Sequence, residues 1–246
     1  MGPSLKLVSL NIERSKHLDI IETFIKKIDP DVLCLQEVME RDILHIKEIT
    51  NTVDCFFVPM TKYIEEGPDE IFGVAIFSKT KIQNPVAEYY SGTSSTLKEF
   101  DAKNHLDTMY RVFITGEVQK NNQVYRLGTT HFTWTPDALS GEIDLAQKRD
   151  MEILLPILKK MGEMVFAGDF NVSRGNPVFS LLAESFRDEV PLKYTASIDG
   201  KIHRAGPMEL MVDGMFTTPR YSAVNVEMVC GVSDHCALVA DIVKIG

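Results

Sequence analysis

The sequence has no excess of positive charge: 26 lysines and arginines stand against 35 aspartates and glutamates, a formal net charge of −9. Proteins that hold nucleic acid mainly through phosphate contacts carry a basic surface, so non-specific duplex binding is disfavoured. No run of about eighteen apolar residues is present, which excludes a transmembrane helix. The chain enters a strand almost at once with no signal-peptide pattern, which points to a cytoplasmic protein. Cysteine is scarce: Cys34, Cys55, Cys230 and Cys236 form no C-x-x-C pair, and Cys34 and Cys236 sit in apolar runs. They are expected as mostly buried free thiols in a reducing compartment, not as a disulfide or metal site. Repeats, low-complexity segments and linkers are lacking too. What remains is 246 residues at 44% hydrophobic composition, enough for one domain over 1–246 with a sizeable core.

What is there begins with alternation. Residues 5–10 alternate polar and apolar and run into Asn11. Leu18, Ile21, Ile25 and Ile28 recur at helical spacing, predicting a helix over 17–28 that Asp29-Pro30 stops. Residues 32–35 are a continuous apolar run, predicting a central strand that delivers Gln36 and Glu37 at its end. Strand, helix, strand in this order is a right-handed crossover unit, whose functional groups lie at the carboxyl ends of its strands. Further on the pattern predicts a helix over 40–50, strands over 55–59 and 73–78, and a polar loop over 62–70. A hairpin over 111–119 and 123–130 turns at Asn121-Asn122. Its second strand ends at His131 and leads into an aromatic loop, 132–137. Ser140 is placed to cap a helix reaching about residue 160. A helix starts at Asn176-Pro177, and a polar irregular stretch covers 187–207. Strands follow over 210–217, with Asp213 in the middle, over 224–229 and over 237–243.

The most informative stretch is Val165-Phe166-Ala167-Gly168-Asp169-Phe170-Asn171. A short apolar run closed by glycine reads as a buried strand. Residues two apart on a strand share a face, so Asp169 and Asn171 face one side and Phe170 the other. Gly-Asp and Asn also suit a turn. The rest of the chain decides between turn and site: Asn11, Glu37, His131, Asp213, Asp234 and His235 each also end or interrupt an apolar strand.

Such a set has a narrow chemistry. Glu37, Asp169, Asp234 and the amides of Asn11 and Asn171 are hard oxygen donors, suited to Mg2+ (or Mn2+) rather than zinc. Histidines beside such an ion supply proton transfer near neutral pH. The combination points to metal-assisted hydrolysis of a phosphate ester.

Asn11, Gln36-Glu37, Thr130-His131, Gly168-Asp169-Phe170-Asn171, Asp213 and Ser233-Asp234-His235 follow one another along nearly the whole chain. In that order they resemble the motifs of the endonuclease/exonuclease/phosphatase superfamily. Its members include deoxyribonuclease, abasic-site endonucleases, neutral sphingomyelinases, inositol polyphosphate 5-phosphatases and tyrosyl-DNA phosphodiesterase. The resemblance implies an α/β (α+β) fold, a four-layer αββα sandwich of two mixed β-sheets flanked by helices. It implies that Glu37, with Asn11 and Asp234, holds the principal ion. His235 contacts the phosphate or takes the proton from water, with Asp213 orienting its ring. Asp169 is the rival general base, and Asn171 positions water or phosphate. His131 protonates the leaving oxygen or holds a phosphate oxygen. Glu70 pairs with His131, as an acidic residue does in deoxyribonuclease. Arg111 lies where some nucleases carry an arginine near the phosphate; a structural salt bridge is the alternative.

Substrate choice is expected in the rim loops. Trp134, the one tryptophan, stacks on a nucleobase or anchors its loop. Arg174, His203 and Arg204 are candidates for a second phosphate. The leading expectation is a Mg2+-dependent phosphodiesterase of the nuclease or nucleotide type, its substrate single-stranded or small. A phospholipid or inositol-phosphate hydrolase shares the same chemistry, and a non-catalytic phosphate-ligand binder is the alternative from another class.

Overall fold

The computed structural model describes residues 3–64, 70–93, 95–136 and 143–245. The chain runs β1 (Leu5–Asn11), α1 (Leu18–Ile28), β2 (Val32–Met39), α2 (Ile43–Thr50), β3 (Asp54–Tyr63), β4 (Glu70–Ser78) and β5 (Gln83–Ser91). It continues through α3 (His105–Thr108), β6 (Arg111–Lys120), β7 (Gln123–His131), α4 (Leu145–Lys160), β8 (Val165–Asp169) and α5 (Pro177–Ser185). It closes with β9 (Arg187–Asp188), β10 (Asp213–Thr217), β11 (Tyr221–Val229) and β12 (Ala237–Lys244). The strands form two six-stranded mixed sheets, ordered β11-β12-β1-β2-β4-β3 and β5-β6-β7-β8-β10-β9.

Alternation along the strands builds the layers. Leu5 and Leu7, Val32 and Cys34, and Val165 and Ala167 point between the sheets into one shared core. Their neighbours Val8, Leu10, Leu33 and Leu35 face Ile21, Phe24 and Ile25 of α1 and Ile46 of α2. On the other side Phe166 and Phe216 meet Met151, Leu154 and Leu158 of α4 and Val178, Phe179 and Leu182 of α5. The result is the expected αββα sandwich.

Each sheet has a parallel pair near its middle, β1 with β2 and β7 with β8. Register sets Asn11, at the carboxyl end of β1, beside Gln36, and sets His131 beside Asp169, both at carboxyl ends. Antiparallel β10 sets Asp213 on the other side of Asp169. Gly168 is required here, because a Cβ would lie 2.2 Å from the Thr130 carbonyl oxygen.

Several elements differ from expectation. β2 does not end at Glu37: it continues to Met39 past a register shift between Leu35 and Val38, and Glu37 itself takes φ +58°. This is a β-bulge, which re-aims a side chain out of the ladder. β10 starts at Asp213, so that residue opens the strand and does not lie in its middle. β3 and β4 extend into the expected 62–70 loop, of which 65–69 lie outside the described residues. β5 carries no apolar pattern in sequence, its early residues being mostly exposed at a sheet edge. Ser140, like Asp137, lies outside the described residues; α4 is capped by Asp144, which accepts from the Gln147 amide at 2.9 Å. The Asn121-Asn122 turn has φ of 50° and 60°, the left-handed pair that a two-residue hairpin needs.

Candidate active site

The strand ends meet at one rim. Asn11 ties the two sheets there: its Nδ2 donates to Glu37 Oε1 at 3.3 Å and to Asp169 Oδ2 at 3.1 Å. Its Oδ1 accepts from the Glu13 amide at 3.1 Å. Its nitrogen thus holds two carboxylates, while its oxygen, the atom expected to face the ion, takes one main-chain amide. Gln36 makes a second cross-sheet tie, donating to Thr129 Oγ1 at 2.9 Å.

Asp213, Asp169 and His235 form a buried triad of side chains whose ligating atoms lie within 4.8 Å of one another. His235 Nδ1 donates to Asp213 Oδ2 at 2.8 Å, and its Nε2 faces Asp169 Oδ2 at 3.8 Å. Burial alone would disfavour the charged ring, but Asp213 and Asp169 outweigh it and lift His235 to about 10. Burial pushes Asp169 up to about 7, against the opposing charge of His235. Glu37 and Asp234 are also raised, chiefly by burial; Asp234 adds to the effect on Glu37 by like-charge repulsion.

His131 completes the rim. Its Nε2 lies 3.5 Å from Asp169 Oδ2 and 3.8 Å from Glu37 Oε1, too long for good hydrogen bonds. Burial, then Arg111 and His235, hold its pKa well below the usual histidine value, so the ring is neutral. The expected Glu70 partner is absent: Glu70 pairs with Arg41, and among the described residues nothing partners His131 Nδ1. Arg111 lies buried behind His131 and donates to its carbonyl oxygen at 3.2 Å. Among the described residues it makes no carboxylate salt bridge, so the salt-bridge alternative fails; Asp169, Asp150 and Glu37 act on it electrostatically.

Asn171 does not continue β8. It takes φ +50°, its amide donates to Asp169 Oδ1 at 2.8 Å, and its Nδ2 donates to the Phe132 carbonyl at 3.0 Å. The simple strand alternation therefore stops at Asp169, while Phe170 packs into the outer core as expected.

Among the rim-loop candidates, Trp134 is 45% exposed, with its ring 5.2 Å from that of His105. His203 is within electrostatic range of Asp234 and His235. Arg204 is exposed beside it. Arg174 is engaged with Asp188 and with the carbonyls of Val190 and Tyr194, where it ties a loop. Sequence reasoning missed two residues that position the site. Ser197 Oγ accepts from the amides of Val212 and Asp213, fixing the start of β10. Asp199 accepts from Gly231, and its amide donates to the Asp234 carbonyl.

Cys230 and Cys236 correct the free-thiol expectation: they form a disulfide across Gly231-Val232-Ser233-Asp234-His235. Antiparallel pairing of Val229 with Ala237 brings them together, a proximity that no C-x-x-C spacing announces. Cys34 and Cys55 are free, and burial pushes both thiols up to about 12.

The donor set fits a divalent cation. Glu37 and Asp234 are oxygen-only, desolvated by burial, and Asp234 repels the charge on Glu37; such carboxylates are costly to hold charged without a counter-charge. Soft donors at the rim are absent among the described residues, since both nearby cysteines are cross-linked.

The model of the Endonuclease/Exonuclease/phosphatase family matches residues 8–235. Curated protein sequences yield no match. Among solved structures, an endonuclease/exonuclease/phosphatase from Bacteroides vulgatus aligns with a TM-score of 0.74 at 16% identity, covering 99% of this chain and 100% of that one. A mannosyl-6-phosphatase of Bacteroides thetaiotaomicron aligns at 0.70 and 16% identity, covering 98% and 100%. D. rerio TDP2, complexed with single strand DNA product, aligns at 0.69 and 15% identity, covering 99% and 100%.

Proposed function

Because this chain belongs to the endonuclease/exonuclease/phosphatase family, we propose that it is a divalent-metal-dependent phosphodiesterase that hydrolyses its ester by in-line attack of water. The observation that carries this reading is the Asp213–His235–Asp169 array beside Glu37 and Asp234. It is a set of groups that can hold a proton, a phosphate and a cation at once. Glu37 and Asp234 would hold the ion, Mg2+ or Mn2+, which stabilises charge developing on the phosphate oxygens. Asp169, poised near neutrality by burial, takes the proton from the attacking water. His235, kept charged by Asp213 and Asp169, donates from Nε2 to a phosphate oxygen. Asn171 positions the water. His131, neutral with Arg111 behind it, donates to a second phosphate oxygen, and the ester P–O bond opposite the attacking water breaks, its leaving oxygen taking a proton from solvent.

The substrate is of the nucleic-acid or nucleotide type, single-stranded or small. Support comes from the exposed Trp134 ring at the edge of the His131 loop, where a base can stack, and from the acidic overall charge, which disfavours gripping a duplex. His203 and Arg204 lie on the Asp234 side, where they would meet a second phosphate.

The test is hydrolysis of a chromogenic bis-aryl phosphate with Mn2+ or Mg2+, abolished by chelator. A panel of single-stranded and duplex DNA, RNA, sphingomyelin, inositol phosphates and mannose 6-phosphate follows. Absence of ester hydrolysis across the panel overturns the enzyme reading. Preference for a lipid or a sugar phosphomonoester overturns the substrate assignment alone.

A further inference from the structure

Gln147 lies in the first turn of α4, and its side chain is 0% exposed. Its Nε2 donates to two main-chain carbonyls, that of Thr133 at 2.8 Å and that of Asn171 at 2.9 Å. Only the NH2 end of an amide can donate to two carbonyls, so the orientation follows from chemistry. The two carbonyls belong to different loops. Thr133 is in the loop that leaves β7 after His131, and Asn171 is in the loop that leaves β8 after Asp169.

Those loops are stitched together nearer the rim as well. The Phe132 amide donates to the Asp169 carbonyl at 2.8 Å, and Asn171 Nδ2 donates to the Phe132 carbonyl at 3.0 Å. Asn171 is therefore held at both ends of its left-handed conformation. Asp169 Oδ1 takes its amide and Gln147 takes its carbonyl. A second clamp from the same helix supports the arrangement: Thr133 Oγ1 donates to buried Asp150 at 2.5 Å, and Arg149 Nε holds the other Asp150 oxygen at 2.9 Å.

Gln147 ties two loops together through its NH2 group while its own oxygen goes unmet. No described residue donates to its buried Oε1, and an unmade buried hydrogen bond is costly. An apolar side chain would remove that cost but would leave the two carbonyls without this donor. What an apolar side chain could not do is fix two carbonyls at once.

We propose that Gln147 is a positioning residue for the reaction. It acts through Asn171 and through the loop that follows His131, setting the separation of Asn171 and His131 across the phosphate. This rests on the phosphodiesterase reading above, and deepens it by assigning α4 a part in catalysis. Displacing a positioned group by about 1 Å can cost roughly a hundredfold in rate.

The experiment uses the full chain with Mn2+ and the chromogenic diester, measuring kcat, KM, melting midpoint and the rise in that midpoint on adding Mn2+. Two variants are compared with wild type. Gln147→Glu keeps the shape but cannot donate to both carbonyls, and Gln147→Met keeps length and bulk without hydrogen bonds. The expected result is a fall in kcat of about 10- to 100-fold in both, with KM within about threefold and the Mn2+-induced rise retained. A double-mutant cycle with Asn171→Ala reads the coupling: once Asn171 is removed, Gln147→Met is expected to cost little more, as for residues acting as a unit. Wild-type kcat in both variants, or strictly additive losses in the cycle, overturns the proposal. So does a collapse of melting midpoint and Mn2+ response in both variants, which would make Gln147 a general brace. An inactive wild-type protein instead overturns the phosphodiesterase reading itself, so the two failures are told apart.

Discussion

The two ends of the sandwich solve opposite electrostatic problems. At the amino ends of the parallel strands, acids meet bases. Asp31 takes both the Lys6 amide and Lys120, Asp29 pairs with Lys79, and Glu117 takes Arg126 through two nitrogens. At the carboxyl ends, Glu37, Asp169, Asp213 and Asp234 gather around two histidines, with one buried arginine set back behind the His131 main chain. Identical residue types are thus arranged for stability at one end and against it at the other. Glu117 is held below the usual glutamate value by hydrogen bonds from Asn84 and Arg126, whereas Glu37 is pushed above it by burial and by Asp234. Natural proteins keep such unfavourable clusters where chemistry requires them.

The sharpest way to break the contrast is at the acidic end. Replacing His235 with alanine is expected to lower turnover by roughly a hundred- to ten-thousandfold. It removes the group held between Asp213 and Asp169 while leaving Glu37 and Asp234 in place. Single-turnover and binding measurements should show the cation response intact; loss of that response would make His235 a ligand. Glu37→Ala should do the reverse. Added Mn2+ at a hundred times its Kd is expected to stabilise the wild-type protein by about 2.7 kcal/mol. That corresponds to a midpoint rise of about 5–10 °C for a chain of this size. In Glu37→Ala the rise should vanish along with metal-dependent turnover, yet the cation-free midpoint should not fall, because one of two repelling carboxylates is gone. An undiminished rise would remove Glu37 from the cation site.

Much of the acidic end was legible in sequence, for a physical reason. Buried strands need apolar runs, and a carboxylate or histidine that terminates one stands out against them. That exposed Asn11, Glu37, His131, Asp169, Asp213 and Asp234-His235 one by one; the two-sheet arrangement of their strands followed from the resemblance to the family, not from the pattern. Where a residue's fate depends on a partner remote in sequence, the signal disappears. Arg174 looked like a phosphate contact until Asp188 and two carbonyls claimed it. Glu70 looked like a partner for His131 until Arg41 took it. The bulge at Glu37 carries no glycine to announce it, and Asn11 presents its nitrogen inward only because Glu13 takes the oxygen. Ser197 and Asp199 sat in a stretch readable only as polar and irregular.

The disulfide belongs to the acidic end, a covalent clasp on the loop carrying Asp234 and His235. A cross-link closing so short a loop contributes about 2 kcal/mol in the chain-entropy estimate. Cys230→Ser is therefore expected to lower the melting midpoint by about 4–8 °C. Because Asp199 still holds Gly231 and Asp234 from the other side, turnover should drop only severalfold. A reductant should reproduce the shift in wild type and leave the variant unchanged. A wild-type midpoint in Cys230→Ser would show that the clasp adds nothing to the loop.

The smallest effect belongs to the paired end, and its sign distinguishes the two ends most cleanly. Glu117→Gln keeps the shape of the side chain but removes the charge facing Arg126, at a pair partly open to solvent. Such pairs contribute about 0.2–1 kcal/mol, so the midpoint should fall by no more than about 4 °C, and turnover should not change. The pH dependence follows from the direction of the shift. A carboxyl whose folded pKa lies below its unfolded value, here taken as 4.5, stabilises fully above that value. The contribution is then lost as pH falls through the lower folded value. The gap between wild type and Glu117→Gln should therefore be present at neutral pH and close on acidification. Added salt should narrow it, because the charges are exposed enough to be screened. A gap that widened in acid would mean that Glu117, like Glu37, is held in its place against its charge.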